Sequence, residues 1–212
     1  MDWRLCLIAD TETVGRENVI PAIKDAVEAG VSIIQLRGKK LETRDFLGLS
    51  LQAAEALRRR NIPLIINDRV DICLACGADG VHLGQDDLPL KFARKILGKE
   101  RLVGISINTA EEAMEAEREG ADYLGVGPVF FTQTKFDLRP PVGLEGFRII
   151  RKRVKIPILA IGGINSENAG EVMRAGSDGV AVISAIMASN SIKRATRNLL
   201  KAITKISISK QL

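Results

Sequence analysis

Hydroxyl groups and a fixed positive charge lie together in one short segment of the chain. Residues 127–135 read GPVFFTQTK and follow a strand-like run at 121–126, so that Thr132, Thr134 and Lys135 come just after the end of that strand. Hydroxyls donate hydrogen bonds to phosphate oxygens, and an ammonium group offsets the charge of the anion. The segment therefore predicts a binding site for a phosphate or a diphosphate.

Basic residues follow another strand-like run. Arg37 and Lys39 come directly after the run at 32–36, within the string QLRGK. A solvated surface loop is the alternative interpretation of these charges. The position of Arg37 at a strand end favours an anion site, because a guanidinium group presents a planar fork that binds two phosphate oxygens at once.

Acidic residues follow two further runs. Asp68 lies in the string NDR after the third run, and Asp86 and Asp87 lie in GQDD after the fourth. Carboxylates at neighbouring strand ends can share one hard cation, and Mg²⁺ is held by a few carboxylates, water and substrate phosphate. Helix capping is an alternative for each acid, because Asp often precedes the first turn of a helix. Capping does not explain why acids and bases gather at the same strand ends, so the pattern favours a metal site.

Small residues that suit a second anion follow the last two runs. Gly162 and Gly163 follow the seventh run, where backbone N–H groups can approach an anion closely. Ser184 opens a short helix after the eighth run, and Ser106 follows the fifth. The sequence therefore predicts two anionic sites, one with a metal near strands 2 to 4 and one without a metal near strands 6 to 8.

A repeating pattern of apolar runs and helix-like stretches must position these side chains. The predicted strands cover residues 5–9, 32–36, 64–66, 80–83, 102–105, 123–126, 158–161 and 179–183. The helix-like stretches include residues 18–28, 44–60, 90–96, 110–119, 144–153 and 166–174, with a last helix expected within 189–212. Runs this apolar are typical of a parallel sheet with helices outside it. The pattern predicts one α/β domain over residues 1–212, a (β/α)₈ TIM barrel. A doubly wound open sheet is the alternative, although no Gly-x-Gly-x-x-Gly follows the first strand.

The composition restricts the partners. The chain carries 31 Lys and Arg against 26 Asp and Glu, a net charge of +5. This mild and scattered excess suits small anionic substrates and does not indicate nucleic-acid binding, which usually needs a basic stripe. No uncharged run reaches the length of about 18 residues that a membrane helix needs. We therefore expect a cytoplasmic protein without a membrane or nucleic-acid partner, and the sequence leaves open whether it forms a homo-oligomer.

Cysteine and histidine give little sign of chemistry. Cys73 and Cys76 form a C-x-x-C in an apolar helix-like stretch, and no second Cys/His pair completes a metal site, so we expect both to pack in the core. His82 is the single histidine and lies in an apolar strand, where a packed and hydrogen-bonded role is expected. A second histidine would be needed to serve a nucleophilic Ser or Cys, so the sequence predicts no catalytic triad.

The strings, taken in order, resemble the thiamine-phosphate synthase family. They extend from about residue 5 to residue 187 and read QLRGK, NDRVD, GVHLGQDDLP, GPVFFTQTK, PVGLEG, AIGGIN and GVAVISAI. The resemblance implies a (β/α)₈ barrel that joins a pyrimidine diphosphate to a thiazole phosphate and releases pyrophosphate. It also implies one Mg²⁺ ion as the cofactor. Cys6 departs from the Tyr often found in the first strand, and residues 136–140 match only loosely.

The resemblance implies roles for individual residues. The expected contacts to the pyrimidine diphosphate are Gln35, Leu36, Arg37, Gly38, Lys39, Asn67, Ser106 and Lys135. The expected contacts to the thiazole phosphate are Thr132, Gln133, Thr134, Gly163, Ile183 and Ser184. Asp68 and Asp87 match the magnesium ligands, whereas Asp86 occupies a variable position. The residues expected to act in catalysis are Arg37, Lys39, Ser106 and Lys135.

Three other functions are compatible with parts of the sequence. A thiazole tautomerase of the same superfamily would bind the thiazole phosphate alone and would not need the paired acids. A non-catalytic sensor of thiamine phosphates would tolerate the loss of Asp68, Asp87 or Lys135, all of which are present. A sugar-phosphate isomerase usually carries a carboxylate base facing an acid. Here a metal explains the acids at the strand ends better.

Overall fold

Eight parallel strands close into a barrel in the computed structural model, which describes residues 1–132 and 139–204. The strands are β1 (Leu5–Asp10), β2 (Ile33–Arg37), β3 (Leu64–Asn67), β4 (Gly80–Leu83), β5 (Leu102–Ile107), β6 (Tyr123–Val126), β7 (Ile158–Ile161) and β8 (Gly179–Val182). Each strand pairs with the next, and β8 pairs with β1 to close the sheet. The predicted TIM barrel is therefore confirmed, and the open-sheet alternative is wrong.

Helices connect the strands. Within the described ranges they are α1 (Thr11–Val14), α2 (Arg16–Glu28), α3 (Thr43–Leu57), α4 (Val70–Cys76), α5 (Leu90–Leu97), α6 (Ala110–Arg118), α7 (Gly143–Arg151), α8 (Ala169–Arg174), α9 (Ser184–Met187) and α10 (Ile192–Thr204). The sequence pattern misses α1 and starts α8 three residues too early. The late start of α8 has a local cause, because the side chains of Asn165 and Asn168 accept hydrogen bonds from nearby backbone N–H groups and compete with helix formation. The last eight residues of the helix expected within 189–212 lie outside the described part.

Aspartates at the amino ends of the strands have a structural role. The carboxylate of Asp79 accepts the backbone N–H of Leu64 at 2.8 Å, and that of Asp178 accepts the N–H of Ile158 at 2.8 Å. Asp122 does the same for Val103 at 2.7 Å. Each of these acids lies two residues after a helix-closing glycine with a positive φ angle. These three acids therefore tie neighbouring strands together at the end of the barrel opposite the predicted site.

The apolar residues form two layers. The larger layer lies between the strands and the surrounding helices and includes Phe46 and Phe147. The smaller layer fills the barrel interior with residues such as Ile8, Ile33 and Tyr123. Side chains therefore fill the barrel, as in other closed eight-stranded sheets, and the chemistry must lie at the strand ends.

The three cysteines are free and buried. Burial raises the pKa of Cys6 to about 12, and it is also the largest cause that raises the pKa of Cys73 to about 12. Buried thiols of this kind are unreactive, which agrees with the packing role expected of Cys73 and Cys76. Among the residues that the structure describes, no helix combines the length and the apolar character that a membrane span requires.

Candidate active site

Two carboxylates meet where β3 and β4 end. Asp68 follows β3 directly, and Asp87 lies four residues beyond β4, in hydrogen-bonding reach of Asp68. Burial raises the pKa of Asp87, and the neighbouring Asp68 carboxylate raises it further. Two carboxylates that share one site resist being ionised together unless a cation lies between them.

The local backbone holds this carboxylate pair in place. Asp68 adopts a left-handed conformation with φ of 64°, and its backbone N–H donates to the carbonyl of His82 at 2.9 Å. The backbone N–H of Gly84 donates to Asp87 Oδ2 at 2.6 Å. Left-handed backbone is uncommon outside glycine and is often kept at functional sites.

The capping alternative fails for both acids. The residues that precede α4 and α5 are Arg69 and Pro89, and in this described part of the chain neither helix start has a side-chain cap. Asp86 is exposed, whereas Asp68 and Asp87 are partly buried. The acids are thus not explained by helix capping.

The donor set fits a magnesium ion. The described residues contain no cluster of three or more His, Cys, Asp or Glu side chains that could hold a metal. A pair of carboxylates is nevertheless the usual protein contribution to a Mg²⁺ site, because water and substrate phosphate supply the remaining ligands. Asp68 and Asp87 are the residues that would hold the ion.

Basic residues adjoin the acids at the end of β2. Lys39 Nζ lies 3.0 Å from Asp68 Oδ2 and joins the basic segment to the acidic pair. Arg37 Nη1 lies 2.8 Å from Asp10 Oδ1 and 3.4 Å from Glu12 Oε1. The sequence analysis missed Asp10 and Glu12, which hold Arg37 in place.

Arg37 carries a donor that suits an anion. Its Nε is buried and has no hydrogen-bond partner among the described residues. An unpaired buried N–H costs about 1–3 kcal/mol, more for a charged group. A phosphate oxygen would satisfy this donor, so the guanidinium group is suited to an anionic ligand.

The remaining residues predicted to contact the pyrimidine diphosphate differ in how deeply their side chains are buried. Gln35 is buried in the middle of β2, Asn67 is buried at the end of β3, and Ser106 is half-buried on β5. Leu36 is fully buried among the side chains between the barrel and the helices. A ligand contact of Leu36 would therefore have to come from its backbone. Gly38 has little room for a side chain, because a Cβ there would lie 2.9 Å from the Phe46 ring.

Ser106 belongs to a hydrogen-bonded group inside the barrel. His82 Nε2 lies 2.9 Å from Ser106 Oγ, and His82 Nδ1 lies 3.0 Å from the hydroxyl of Tyr123. Gln85 Nε2 donates to the backbone carbonyl of Ser106 at 2.7 Å. His82 is packed and hydrogen-bonded, as expected, but its partner is a predicted substrate contact. Nothing in the local sequence pattern marks Tyr123.

The segment after β6 packs closely on the turn after β7. Val129 and Phe130 donate backbone hydrogen bonds to the carbonyls of Ile161 and Gly162 at 2.8 and 3.1 Å. Gly163 has a φ of 67°, and a Cβ there would lie 2.5 Å from the Phe131 carbonyl oxygen. Only glycine fits this position, so the close approach holds Thr132 near the end of β7.

The other residues predicted to bind the thiazole phosphate are only partly described. Ile183 is buried in the barrel interior, and the exposed Ser184 begins α9. Gln133, Thr134 and Lys135 lie outside the described residues, so their roles stay predictions. A separate concavity of about 1020 Å³ lies at the amino ends of β2 to β4, beside Ser32, Leu64 and Asp79, and it contains none of the candidate residues.

Comparison with known proteins gives a consistent result over nearly the whole chain. The profile of the thiamine monophosphate synthase family matches residues 5–186. The chain is 49% identical over 198 residues to the thiamine-phosphate synthase of Syntrophomonas wolfei, covering 93% of this chain and 95% of that protein. It is 46% identical over 199 residues to the thiamine-phosphate synthase of Clostridium novyi, covering 94% and 98% of the two chains.

A solved structure agrees with these sequence relatives. Thiamine phosphate pyrophosphorylase from Pyrococcus furiosus superposes with a TM-score of 0.88 at 39% identity, with 97% of each chain covered. The family profile, which matches residues 5–186, spans all the strands and loops that carry the candidate residues. The chain therefore belongs to the thiamine monophosphate synthase family.

Proposed function

We propose that the carboxyl ends of these strands join 4-amino-2-methyl-5-hydroxymethylpyrimidine diphosphate to 4-methyl-5-(2-phosphoethyl)thiazole, giving thiamine monophosphate and pyrophosphate. Thiamine-phosphate synthase is the activity that the family and its high-coverage relatives support, and it makes the chain a transferase of thiamine biosynthesis. The tautomerase and sensor alternatives are not favoured by these relatives. The second substrate is this thiazole phosphate or its carboxylate.

One observation carries the assignment of the diphosphate site. The carboxylate pair Asp68 and Asp87 adjoins Lys39, whose ammonium group lies 3.0 Å from Asp68. Arg37, the last residue of β2, lies two residues before Lys39 and has a buried Nε without a hydrogen-bond partner among the described residues. A diphosphate carries several negative charges and is best held by a cation together with such donors. A thiazole tautomerase would have no need of this arrangement.

The residues of the chain then bind and orient the leaving group. Arg37, Lys39 and Lys135 neutralise charge on the diphosphate as the bond between the exocyclic carbon and its oxygen breaks. A magnesium ion bound at Asp68 and Asp87 would supply further charge neutralisation at the diphosphate oxygens. The electron pair of the broken bond stays on pyrophosphate, and the aminopyrimidine ring stabilises the resulting benzyl-like cation.

The second substrate forms the new bond without help from a protein nucleophile. The thiazole nitrogen attacks the exocyclic carbon, so that a C–N bond replaces the C–O bond and the thiazolium charge remains on the product. Thr132, Gln133, Thr134, Gly163, Ile183 and Ser184 are proposed to hold the thiazole phosphate. Their task is to bring the nitrogen into line and to exclude water, which would otherwise capture the cation.

The test is pyrophosphate release by the purified protein with both substrates and Mg²⁺. We expect one pyrophosphate per thiamine monophosphate. Release from the pyrimidine diphosphate alone would show a hydrolase, and isomerisation of a thiazole phosphate alone would show a tautomerase. Binding of thiamine phosphates without turnover would show a sensor. We further expect one Mg²⁺ per chain and a cytoplasmic location, since buried free thiols suit a reducing compartment.

A further inference from the structure

Two rings meet inside the barrel in a space that two glycines keep open. His82 on β4 and Tyr123 on β6 are both buried, and the register places Gly104 of β5 between them. A Cβ on Gly104 would lie 2.1 Å from Tyr123 Cζ and 2.6 Å from His82 Nδ1. A Cβ on Gly125 would lie 3.0 Å from His82 Cε1. The strands thus carry glycine where the ring pair needs room, which indicates a specific arrangement of the two rings.

The hydrogen bonds of the pair have a definite direction. Burial raises the pKa of Tyr123 well above its usual value, so its hydroxyl keeps its proton. The hydroxyl hydrogen of the buried Tyr123 needs an acceptor, and His82 Nδ1 lies 3.0 Å away to accept it.

The direction of the hydrogen bond from Tyr123 to His82 also sets the direction of the hydrogen bond between His82 and Ser106. A neutral imidazole has one acceptor nitrogen and one donor nitrogen. If Nδ1 accepts from Tyr123, Nε2 carries the proton and donates to Ser106 Oγ, which lies 2.9 Å away. The single hydrogen of the Ser106 hydroxyl is then available for a ligand, because its oxygen already accepts from His82.

We propose that Tyr123 is a positioning residue, which fixes His82 in the Nε2–H tautomer and thereby makes Ser106 a hydrogen-bond donor to the substrates. The proposal rests on the proposed function for the identity of those substrates. It assigns a role to Tyr123 and to the glycines 104 and 125, none of which is among the predicted substrate contacts. The opposite tautomer would turn the Ser106 hydrogen toward His82 and leave only acceptor lone pairs facing the anionic diphosphate.

The tautomer can be measured without any substrate. His82 is the single histidine of the chain, so ¹⁵N-histidine labelling of the protein without an affinity tag gives the signals of one imidazole. At a pH of about 8.5, well above the ordinary imidazole value, we expect Nδ1 to show the shift of an unprotonated nitrogen and Nε2 that of a protonated one. In Tyr123→Phe we expect the two nitrogens to move toward each other as the tautomers mix. A protonated Nδ1 in the unsubstituted protein overturns the proposal.

Kinetics test the consequence for Ser106. Tyr123→Phe should lower kcat about 3- to 10-fold, the range of one neutral hydrogen bond. His82→Gln carries a fixed amide donor in place of Nε2–H, so Tyr123→Phe should have no added effect in that background or in Ser106→Ala. Equal losses in all three backgrounds would show that the hydroxyl acts only through packing, and would overturn the proposal.

A matched control separates the hydrogen bond from the loss of volume. Ile65→Val also removes one heavy atom from the barrel interior and should change neither the ¹⁵N shifts nor kcat by more than about twofold. Failure of the synthase reaction itself would leave the ¹⁵N result untouched, so the two hypotheses fail separately. A Tyr123→Phe variant that does not fold would still leave the tautomer of the unsubstituted protein as the deciding measurement.

Discussion

Replacing Asp87 by Asn should stabilise the metal-free protein and abolish its response to magnesium. Asn keeps the size of the side chain and can still accept the N–H of Gly84, which lies 2.6 Å from Asp87 Oδ2. It removes one of two adjacent negative charges, whose mutual effect is visible in the raised pKa of Asp87, where burial is the first cause and Asp68 the next. The substitution therefore relieves repulsion without disturbing the backbone.

The size of the effect follows from the charges around the pair. Two like charges about 4 Å apart repel by about 4 kcal/mol near a protein surface. Lys39, 3.0 Å from Asp68, offsets part of this repulsion, and solvent screens a pair that is only partly buried. We therefore expect Asp87→Asn to raise the free energy of unfolding by about 1–2 kcal/mol at neutral pH without Mg²⁺.

Magnesium should reverse the order of stability. A ligand at about 100 times its Kd stabilises the folded state by about 2.7 kcal/mol, and the unsubstituted protein alone should gain this amount. The assay is urea denaturation with EDTA and then with saturating Mg²⁺. Asp86→Asn is the matched control, because Asp86 is the exposed neighbouring acid and should behave as the unsubstituted protein does.

The pH dependence of the free energy of unfolding tests the same reasoning, because its direction follows from the raised pKa of Asp87. A carboxyl group whose pKa is raised by folding favours the folded state when it is protonated. Its contribution is complete below the unfolded value of 3.8 and is lost as the pH rises through the higher folded value. The stability difference between Asp87→Asn and the unsubstituted protein should therefore grow as the pH rises through that window. A metal-free variant that is less stable at neutral pH, or equal stabilisation of both proteins by Mg²⁺, would refute the reasoning.

Four further substitutions test the site. Asp68→Ala should abolish magnesium-dependent turnover while circular dichroism shows an intact fold; undiminished turnover at saturating substrate would contradict the metal assignment. Lys135→Ala should depress the single-turnover rate, and an unchanged rate would exclude a role at the leaving group. Arg37→Lys loses the planar fork and should raise KM for the pyrimidine diphosphate about 10- to 100-fold, with little change in KM for the thiazole phosphate. In Gly163→Ala the new Cβ would lie 2.5 Å from the Phe131 carbonyl oxygen, so this variant should have a lower Tm and a higher KM for the thiazole phosphate. The control is Gly48→Ala in α3, where a Cβ would have no atom within 4 Å and the substitution should be neutral or stabilising. Equal behaviour of the two variants would contradict the close-approach argument.

Much of the fold and part of the site follow from local pattern. Each apolar run predicted as a strand is a strand, because a buried parallel strand needs continuous apolar sequence whatever its neighbours are. Asp68 and Lys39 could be predicted to lie close together because the carboxyl ends of parallel strands meet at one end of the barrel. That argument uses only position along the chain.

Other parts of the site depend on register and are not visible locally. Asp10 lies opposite Arg37 because β1 and β2 pair in that register, and nothing in the LCLIAD string signals a partner 27 residues away. Tyr123 looks like an ordinary β-forming residue at the start of a strand. Its link to His82 arises only because Gly104, on the strand between β4 and β6, leaves room for the two rings to meet.

Aspartates have different roles at the two ends of the barrel. At the amino ends, Asp79, Asp122 and Asp178 each receive a backbone N–H and compensate their charge within the fold. At the carboxyl ends, Asp87 also receives a backbone N–H, but its carboxylate lies against a second acid, and burial together with that acid raises its pKa. Repulsion between two adjacent acids lowers the stability of the fold, and one substitution would remove it. Stability alone therefore does not account for the pair. The proposed Mg²⁺ site would give this carboxylate pair a use, and the destabilisation expected of the pair without metal is the property that the Asp87→Asn experiment measures.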